Sequence, residues 1–364
     1  EIFLYSSYFL GSGRNYFIKI LKNSKIYFLK KIELSNSNQI DLLWRKNRIY
    51  HLKKIFDSFS FFKLLFFIYL PISLLENLKE NILKSKKNLK KSPPKKIIAK
   101  SELHFNLGFK IQTYFYKLLG TKLVYIQHGG NYGLDNIHQF ENYEIKCSDK
   151  FISWGWKYNY SNVYPLSQPV LNINISKKIK KKKFLMMGNY PSFPYRLHFQ
   201  PMGKIRVKKM RSETLSFLNK LGNYENFYLK TYFDYDNDTN LNLKKNFPNF
   251  KFENSKNVLK IFENSELVVH NYLCTSYLQT LALNIPTVCF YDPEVYRFKP
   301  EVDYYVKKFN ENKIFHQSGE SAANFLKTAN IDDWWNDEKV QNIRKSFIKK
   351  YCCFSRDWTN PWEL

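Results

Sequence analysis

Cysteine and long apolar runs are scarce in this 364-residue chain. None of the five cysteines forms a Cys-x-x-Cys pair or has a histidine at zinc-ligand spacing, which argues against a zinc site or a disulfide framework and favours a reducing, cytoplasmic compartment. The most apolar stretch, 59–75, is interrupted by Lys63 and Pro71, so we expect a buried or interfacial helix there rather than a transmembrane one. The chain starts at Glu1 without a cleavable signal pattern, and we expect part of its N-terminal domain to be missing.

Arginine supplies only nine of the 58 basic residues, although the formal net charge is +27. The lysine excess accompanies abundant asparagine, isoleucine, phenylalanine and tyrosine, a mixture typical of A/T-rich coding sequence. Because arginine performs most bidentate recognition of phosphates and bases, this composition favours solvated lysines over a nucleic-acid groove. A non-enzymatic basic module that binds polyanions or a membrane surface remains an alternative.

Short β-branched or aromatic runs alternate with helical segments from Pro93 onward, which predicts an α/β fold with parallel strands. A lysine-rich segment, 176–183, is either a solvated linker or a lipid-headgroup patch, and the linker is favoured. We therefore expect two Rossmann-like domains facing a cleft, 1–175 and 184–364. The predicted strands are 97–99, 122–126, 150–154, 184–187, 227–232, 267–270 and 287–291. The predicted helices are 105–119, 136–147, 207–221, 258–263, 276–283, 303–310, 321–329 and 337–351.

The most informative segment is 127–133, Gln-His-Gly-Gly-Asn-Tyr-Gly, directly after a predicted strand. Gly129 and Gly130 permit a tight turn and a close approach to a ligand, while the strand end would point His128 into the cleft. His128 is either a general base for a hydroxyl, a hydrogen-bond donor to a phosphate or carboxylate, or a histidine whose hydrogen bonds are satisfied within a structural turn. The segment lacks the spacing of a dinucleotide-binding fingerprint.

A second segment, 270–277, joins a predicted strand to a predicted helix and begins with His270. The hydroxyls of Thr275 and Ser276, with the backbone N–H groups of the first helical turn, can hold a phosphate or diphosphate. Helix capping alone would also select these residues, but the position at a strand-to-helix junction favours phosphate binding.

Two carboxylates, Asp292 and Glu294, follow the predicted strand 287–291. They could bind sugar hydroxyls, orient a base or coordinate a divalent ion, or they could form a charged surface turn around Pro293. Lys230 near another strand end could neutralise a leaving phosphate, although one lysine carries little weight in a lysine-rich chain.

The ordered set of motifs resembles a bacterial family of transferases from surface-polysaccharide loci, whose members resemble GT-B glycosyltransferases. The resemblance covers about residues 65–350. Its motifs are Pro71 to Glu76, the 127–133 turn, Ser148-Asp149 with Trp154-Gly155-Trp156, Tyr190-Pro191, Pro194-Tyr195-Arg196, Thr275 to Leu278, Asn284 to Thr287, Asp292-Pro293 and Trp334-Trp335.

The resemblance implies a GT-B-like fold in which the domain 184–364 holds a nucleotide-sugar donor and the incomplete domain 1–175 holds the acceptor. It implies that Thr275 and Ser276 meet the donor phosphates and that His128 faces the acceptor. Gln279 stands where GT-B enzymes often present a glutamate to the ribose or sugar, which puts nucleotide specificity in doubt. The Gln-His-Gly turn is also similar to one in capsule enzymes that use cytidine-linked acidic sugars.

We therefore predict a cytoplasmic glycosyltransferase, with peripheral contact at the inner membrane, acting on a surface polysaccharide or lipid-linked glycan. His128, Asp292 and Glu294 are its candidate catalytic residues, and no metal or other cofactor is required because helix ends and lysines can stabilise the leaving group. An alternative is transfer of glycerol or ribitol phosphate to a teichoic-acid-like polymer. The predicted donor-binding residues are Gly129, Gly130, Lys230, His270, Thr275, Ser276 and Gln279.

Overall fold

The computed structural model of the protein describes residues 2–5, 26–28, 34, 39–55, 68–167, 182–187, 204–222, 227–231, 243–255 and 257–354. It divides into two units, the first comprising residues 1–11 and 21–124 and the second residues 12–20 and 125–364. The division at 176–183 stays a prediction, because only Lys182 and Lys183 of that segment are among the described residues, and both lie in a strand.

A sheet in the order β2-β1-β3-β4 forms the first unit. Its elements are β1 (Ile2–Tyr5), β2 (Ile26–Phe28), α1 (Leu42–Ile55), a short 3-10 helix (Ile72–Leu74), α2 (Leu78–Lys87), β3 (Lys96–Ala99), α3 (Glu102–Phe105), α4 (Leu107–Leu118) and β4 (Lys122–Ile126), whose last two residues belong to the second unit. Strand β1 pairs in parallel with both β2 and β3. The N–H of Lys122 donates to the carbonyl of Lys95 at 3.1 Å, which joins the amino ends of β3 and β4.

The sequence of the first unit explains its central strands, because a parallel strand covered on both faces is apolar throughout. Ile97 and Ile98 of β3 and Leu123 and Val124 of β4 are all buried. A buried ion pair fixes α1: the Nε of Arg45 lies 2.7 Å from a carboxylate oxygen of Glu76, and this pairing lowers the pKa of Glu76.

A second parallel sheet, in the order β12-β11-β10-β7-β8-β9, dominates the second unit. The unit also contains the parallel pair β5 and β6. Its elements are α5 (Gln139–Cys147), β5 (Lys150–Ser153), β6 (Val163–Pro165), β7 (Lys182–Met187), α6 (Lys204–Leu221), β8 (Phe227–Thr231), β9 (Lys251–Phe252), α7 (Val258–Glu263), β10 (Ser265–His270), α8 (Thr275–Ala282), β11 (Thr287–Phe290), a 3-10 helix (Pro300–Val302), α9 (Asp303–Glu311), β12 (Phe315–His316), α10 (Gly319–Thr328), α11 (Ile331–Asn336) and α12 (Glu338–Tyr351).

The main core of the second unit lies between this sheet and helices α6 and α10. Phe217 of α6 stacks on Phe290 of β11 with ring centroids 5.0 Å apart, and Ala322 and Ala323 let α10 approach closely. The predicted α/β architecture with parallel sheets is therefore confirmed.

One predicted helix is divided in the structure, and another lies mostly outside the described residues. The helix predicted at 105–119 is interrupted at Asn106, whose backbone is extended and whose side chain accepts from the N–H of Phe109 at 2.9 Å, so a new helix begins there. Of the apolar stretch 59–75, residues 59–67 lie outside the described residues. Within the part of the chain that is described, no helix combines the length and apolarity needed to cross a bilayer.

Candidate functional site

The turn after β4 is held in place by Gln127, a fully buried residue. Its side-chain oxygen accepts from the backbone N–H of Trp154 at 2.9 Å and from the indole N–H of Trp156 at 2.8 Å. Its side-chain nitrogen donates to the carbonyl of Gly129 at 2.7 Å. One buried amide therefore fixes the backbone on which His128 stands.

His128 is half-buried and contacts a buried tyrosine. Its Nδ1 lies 2.8 Å from the hydroxyl of Tyr132, and Tyr132 packs against the ring of His138 at a centroid distance of 4.0 Å. A ring nitrogen of His128 and a carboxylate oxygen of the fully buried Glu144 lie within 4.8 Å of each other. Burial, followed by the charge of Glu144, raises the pKa of Tyr132, so its hydroxyl keeps its proton.

Gly133 ends the turn in a conformation that requires glycine. Its φ is +72°, and a Cβ there would lie 2.6 Å from the indole ring of Trp156. Its N–H donates to a carboxylate oxygen of Glu141 at 2.6 Å, and the other oxygen of Glu141 is paired with Lys299. The two ends of the 127–133 turn are thus both anchored.

The turn lies directly against the amino terminus of α8. The N–H of Gly130 donates to Oγ1 of Thr275 at 3.0 Å, and a Cβ on Gly130 would approach the backbone of Thr275 to 2.8 Å. The side chain of the N-cap residue, Cys274, makes no capping hydrogen bond to the first-turn N–H groups of α8. The structure therefore brings together two segments that the sequence analysis selected separately.

His270 lies beneath this helix terminus and is completely buried. Burial lowers its pKa to about 3, so the imidazole is neutral. Its Nε2 lies 3.1 Å from the hydroxyl of Thr280, which donates to the carbonyl of Tyr277 at 3.0 Å and so accepts from the ring. Nδ1 is then an acceptor, and the hydroxyl of Ser276 donates to it at 3.2 Å.

These hydroxyls of α8 consequently differ in what they can offer an anion. Ser276 has one hydroxyl proton, which it donates in its hydrogen bond to Nδ1 of His270. Thr275 uses a lone pair to accept from Gly130, and its hydroxyl also lies 3.9 Å from Sγ of Cys274. Sulfur is a weak acceptor, so a phosphate oxygen can displace it and take the Thr275 proton. Of the two residues predicted to meet the donor phosphates, Thr275 is therefore the better donor.

A buried polar network also connects the turn to the segment before α8. The amide nitrogen of Asn131 donates to a carboxylate oxygen of Asp135 at 2.7 Å and to the carbonyl of Leu273 at 3.1 Å. The hydroxyl of Tyr296 bonds to the other oxygen of Asp135 and donates to Leu273 at 2.9 Å. Burial raises the pKa of Asp135 to about 8.

A narrow recess, with a cavity volume of about 10 Å³, lies at the carboxyl ends of β10 and β11. This edge of a parallel sheet is where open α/β folds bind ligands. The recess is lined by, among others, Asn271, Leu273, Tyr291, Asp292, Val295 and Tyr296.

The two predicted carboxylates occupy different positions at this recess. Asp292 lines it and accepts from the N–H of Glu294 at 2.8 Å. Glu294 is exposed and pairs with Lys209, whose ammonium nitrogen also lies 3.7 Å from Asp292. Both carboxylates therefore lie beside one lysine that the sequence analysis did not select.

The remaining predicted donor-binding residues lie in the same unit. Gln279 is a half-buried residue of α8. Lys230 lies in β8, and its ammonium group donates to the carbonyl of Thr231 at 3.0 Å. The family motifs at 190–191 and 194–196 lie outside the described residues.

Sequence analysis did not select Tyr132, Asp135, Glu144 or Tyr296. The sequence gives no signal of their burial, because Asp135 and Glu144 stand in a mostly polar segment, yet both are fully or almost fully buried. Their partners could not be read from spacing, since Asp135 and Tyr296 are 161 residues apart.

The comparison with protein families covers the whole chain: a model described as the LIC12162 family transferase matches residues 1–364. The chain belongs to this family of transferases. No curated protein sequence matches it significantly.

Solved structures resemble the LIC12162 family chain in fold at very low sequence identity. A candidate UDP-N-acetylglucosamine 2-epimerase from Listeria monocytogenes is 8% identical in sequence, with a TM-score of 0.53. The match covers 98% of this chain and 93% of the Listeria chain. UDP-GlcNAc 2-epimerase from Neisseria meningitidis is 9% identical with a TM-score of 0.48, covering 96% and 98%. The spinosyn rhamnosyltransferase SpnG is 10% identical with a TM-score of 0.48, covering 97% and 96%. The likeness to the Listeria protein concerns the fold alone, and it agrees with the predicted GT-B-like architecture of two Rossmann-like domains.

Proposed function

We propose that this LIC12162 family transferase is a glycosyltransferase that moves a sugar from a nucleotide-sugar to a hydroxyl of a surface polysaccharide or lipid-linked glycan. The observation that carries the proposal is the contact of the 127–133 turn with the amino terminus of α8, made by Gly130 and Thr275. Gly130 is two residues from His128 in the same turn, and the N-cap residue of α8 does not cap the helix with its side chain. Sugar transfer needs a base for the acceptor hydroxyl and a stabiliser for the leaving phosphate, and these two groups can supply them.

His128 is the proposed base, and its neighbours support a particular tautomer. Tyr132 has one hydroxyl proton, which a nearby carboxylate, Glu144, attracts more strongly than a neutral imidazole does. The hydroxyl of Tyr132 then accepts from Nδ1–H of His128, across the 2.8 Å contact. This arrangement leaves Nε2 unprotonated and able to take the acceptor's proton, and the imidazolium that forms is stabilised through Tyr132 by Glu144.

In the proposed step, the acceptor oxygen loses its proton to Nε2 of His128 and forms a bond to the anomeric carbon. The bond from that carbon to the donor phosphate breaks, and the nucleotide leaves with the electron pair. The backbone N–H groups at the start of α8 and the hydroxyl of Thr275 are suited to bind its negative charge. Asp292, at the recess, is suited to accept hydrogen bonds from sugar hydroxyls. A metal ion is not required by this scheme.

The donor class is the part of the proposal that needs measurement. The name of the Listeria protein refers to a UDP-sugar, and the Gln-His-Gly turn resembles that of enzymes using cytidine-linked acidic sugars. We propose that UDP-linked and CMP-linked sugars be tested first, as donors made in the cytoplasm.

Thermal-shift measurements on the full chain can identify the donor class, since a ligand of the native state raises its apparent stability. The series would contain UDP, GDP, dTDP, CDP, CMP and heparin, each at low and moderate salt. Stabilisation by one nucleotide that persists in moderate salt supports the proposal. Stabilisation by heparin alone, lost in salt, contradicts it and favours a polyanion-binding module.

Nucleotide release from the matching sugar donor then tests catalysis. His128→Ala should abolish release in the presence of acceptor while keeping the nucleotide-induced thermal shift. Turnover equal to that of the unmodified protein would remove His128 from the mechanism. CDP-glycerol is the informative comparison donor, because its turnover would indicate transfer of glycerol phosphate instead of a sugar.

A further inference from the structure

The first unit carries a basic and apolar surface that the proposed reaction does not use. It is formed by the loops that precede β3 and β4, with the last turns of α2 and α4. Its exposed members, which we call the lysine-leucine edge, are Lys86, Lys87, Lys90, Lys91, Lys95, Leu118, Leu119 and Lys122.

The two loops of this edge are joined by several hydrogen bonds. The N–H of Lys90 donates to the hydroxyl of Tyr116 at 3.0 Å, and the hydroxyl of Thr121 donates to the carbonyl of Pro94 at 2.7 Å. The ammonium nitrogen of Lys86 lies 5.0 Å from the ring centroid of Phe115, which links α2 to α4. The edge is therefore a preformed surface rather than two independent loops.

Leucines at this edge are unusually exposed. Leu118 retains 66% and Leu119 56% of its accessible surface, and Tyr114, one helical turn before Leu118, retains 60%. Leu83 on α2 is exposed to 56%. Single exposed apolar residues need no explanation, but several on two packed helices mark a contact surface.

Lysine dominates the charge around these leucines. Between Asn81 and Lys122 the chain contains eleven lysines and a single acidic residue, Glu102, which follows β3 and so lies at the opposite edge of the sheet. Glu80, in the first turn of α2, pairs with Lys84 at 3.1 Å. The surroundings of Leu118 and Leu119, at the other end of that helix and in the last turns of α4, are therefore mainly basic.

Two ordinary explanations account for part of this pattern. Lysines in the last turn of α2 complement the helix dipole, and the whole chain is rich in lysine. Neither explains why large apolar side chains are exposed among them. An anionic bilayer matches both features, because its headgroups attract lysines and its interface accepts leucine side chains.

We propose that the lysine-leucine edge docks the protein on anionic lipid bilayers, with Leu118 and Leu119 entering the interface and the surrounding lysines contacting headgroups. This surface is at the amino ends of β3 and β4, so docking leaves the carboxyl ends of those strands open. The inference does not depend on the proposed glycosyl transfer.

Vesicle co-sedimentation of the full chain tests this docking. Vesicles of phosphatidylcholine with 30% phosphatidylglycerol would be compared with vesicles of phosphatidylcholine alone. We expect tight binding only to the former. The double variant Leu118→Ser/Leu119→Ser should lower the partition coefficient about five- to tenfold at unchanged net charge, because two apolar side chains no longer leave water.

Matched controls separate a specific edge from diffuse charge. Leu215→Ser/Tyr304→Ser removes two exposed apolar side chains from the second unit, and Lys345→Gln/Lys349→Gln removes two exposed lysines there. The lysine control is paired with Lys91→Gln/Lys95→Gln at the edge. Docking at this edge predicts roughly tenfold weaker vesicle binding for the edge lysine pair and less than twofold for each control.

Three outcomes would overturn the inference. Equal losses for the edge and control lysine pairs would mean that net charge alone drives binding. Unchanged vesicle binding by the leucine variant, with unchanged retention on heparin, would favour a soluble polyanion. Absence of binding to the anionic vesicles would exclude lipid docking directly. Thermal unfolding of each variant checks that the exposed substitutions leave the fold intact.

Discussion

The backbone N–H of Gly130 donates a 3.0 Å hydrogen bond to the side-chain oxygen of Thr275, 145 residues further along the chain. This contact joins the turn after β4 to the first residue of α8. It also explains a sequence feature, because a side chain on Gly130 would run into the backbone of Thr275 and Cys274.

Gly130→Ala should therefore destabilise the protein and weaken nucleotide binding. The added methyl would lie 2.8 Å from backbone atoms of Thr275, and overpacking of this kind costs about 1–3 kcal/mol. Gly129→Ala is the matched control, since its nearest non-neighbouring atom would be Oγ1 of Thr275 at 3.9 Å, an ordinary contact. Urea unfolding and nucleotide-induced thermal shifts measure both effects, and equal stability of the two variants would contradict the packing described.

Thr275→Val and Ser276→Ala should affect anion binding differently. The hydroxyl of Thr275 accepts from Gly130 and faces only the weak acceptor Sγ of Cys274 at 3.9 Å, which a phosphate can displace. The hydroxyl of Ser276 instead donates to His270. Loss of one hydrogen bond to a charged group costs about 1.5–3 kcal/mol, or roughly 10- to 100-fold in affinity, and we expect it only for Thr275→Val.

Calorimetric titration with inorganic pyrophosphate, which carries the diphosphate of a donor without its base, measures this difference. Thr275→Ser should restore affinity because it keeps the hydroxyl. A larger loss of affinity for Ser276→Ala than for Thr275→Val would show that the proton assignment around His270 is wrong.

The longer strands and most helices of the second unit could be predicted from sequence because their apolar patterns are clear. The short strands β6, β9 and β12 have only two or three residues each, and they were not predicted. The bounds of β4 and α7 agree with prediction, and β10 begins two residues before the predicted start. The errors in the helix bounds come from N-capping side chains. Asn106 caps a new helix inside the predicted helix 105–119. His138 accepts from the N–H of Glu141, so α5 begins at Gln139, three residues after its predicted start.

The candidate site was predicted as separate pieces and not as an assembly. Turn chemistry identified His128 and the glycines, and capping chemistry identified Thr275 and Ser276. Sequence spacing could not predict which distant buried polar groups pair, such as Asn131 with Leu273, because such pairs depend on the tertiary fold. The same limitation applies to Lys209, whose importance comes only from its distance to Asp292.

Stability should fall with rising pH because of Asp135. Burial raises its folded pKa to about 8 from an ordinary value of 3.8, so the folded state binds this proton more tightly than the unfolded state. The stabilisation is complete below about pH 4 and is lost as the pH rises through about 8. Asn131, Tyr296, Glu141 and Lys299 face this carboxyl group and set its environment.

Asp135→Asn should remove this pH dependence. An asparagine can donate to the hydroxyl of Tyr296 and accept from the amide of Asn131, which mimics the protonated carboxyl. Urea unfolding between pH 4 and pH 9 should show the variant matching the unmodified protein near pH 4 and exceeding its stability by a growing margin as the pH rises toward 8. Parallel curves for the two proteins would refute a protonated Asp135.

Tyr132→Phe should change the tautomer of His128 without unfolding the protein. The tyrosine ring would still pack against His138, but Nδ1 of His128 would lose the oxygen 2.8 Å away that favours its protonation. Selective ¹⁵N-histidine NMR distinguishes Nδ1–H from Nε2–H rings, and a His128→Asn spectrum assigns the signal among the seven histidines. We expect predominantly Nδ1–H in the unmodified protein and a shift toward Nε2–H in Tyr132→Phe.

Glu144→Gln should shift the tautomer balance of His128 in the same direction, because an amide attracts the Tyr132 proton less than a carboxylate does. An Nε2–H ring in the unmodified protein would rule out the proposed proton path from the acceptor to His128.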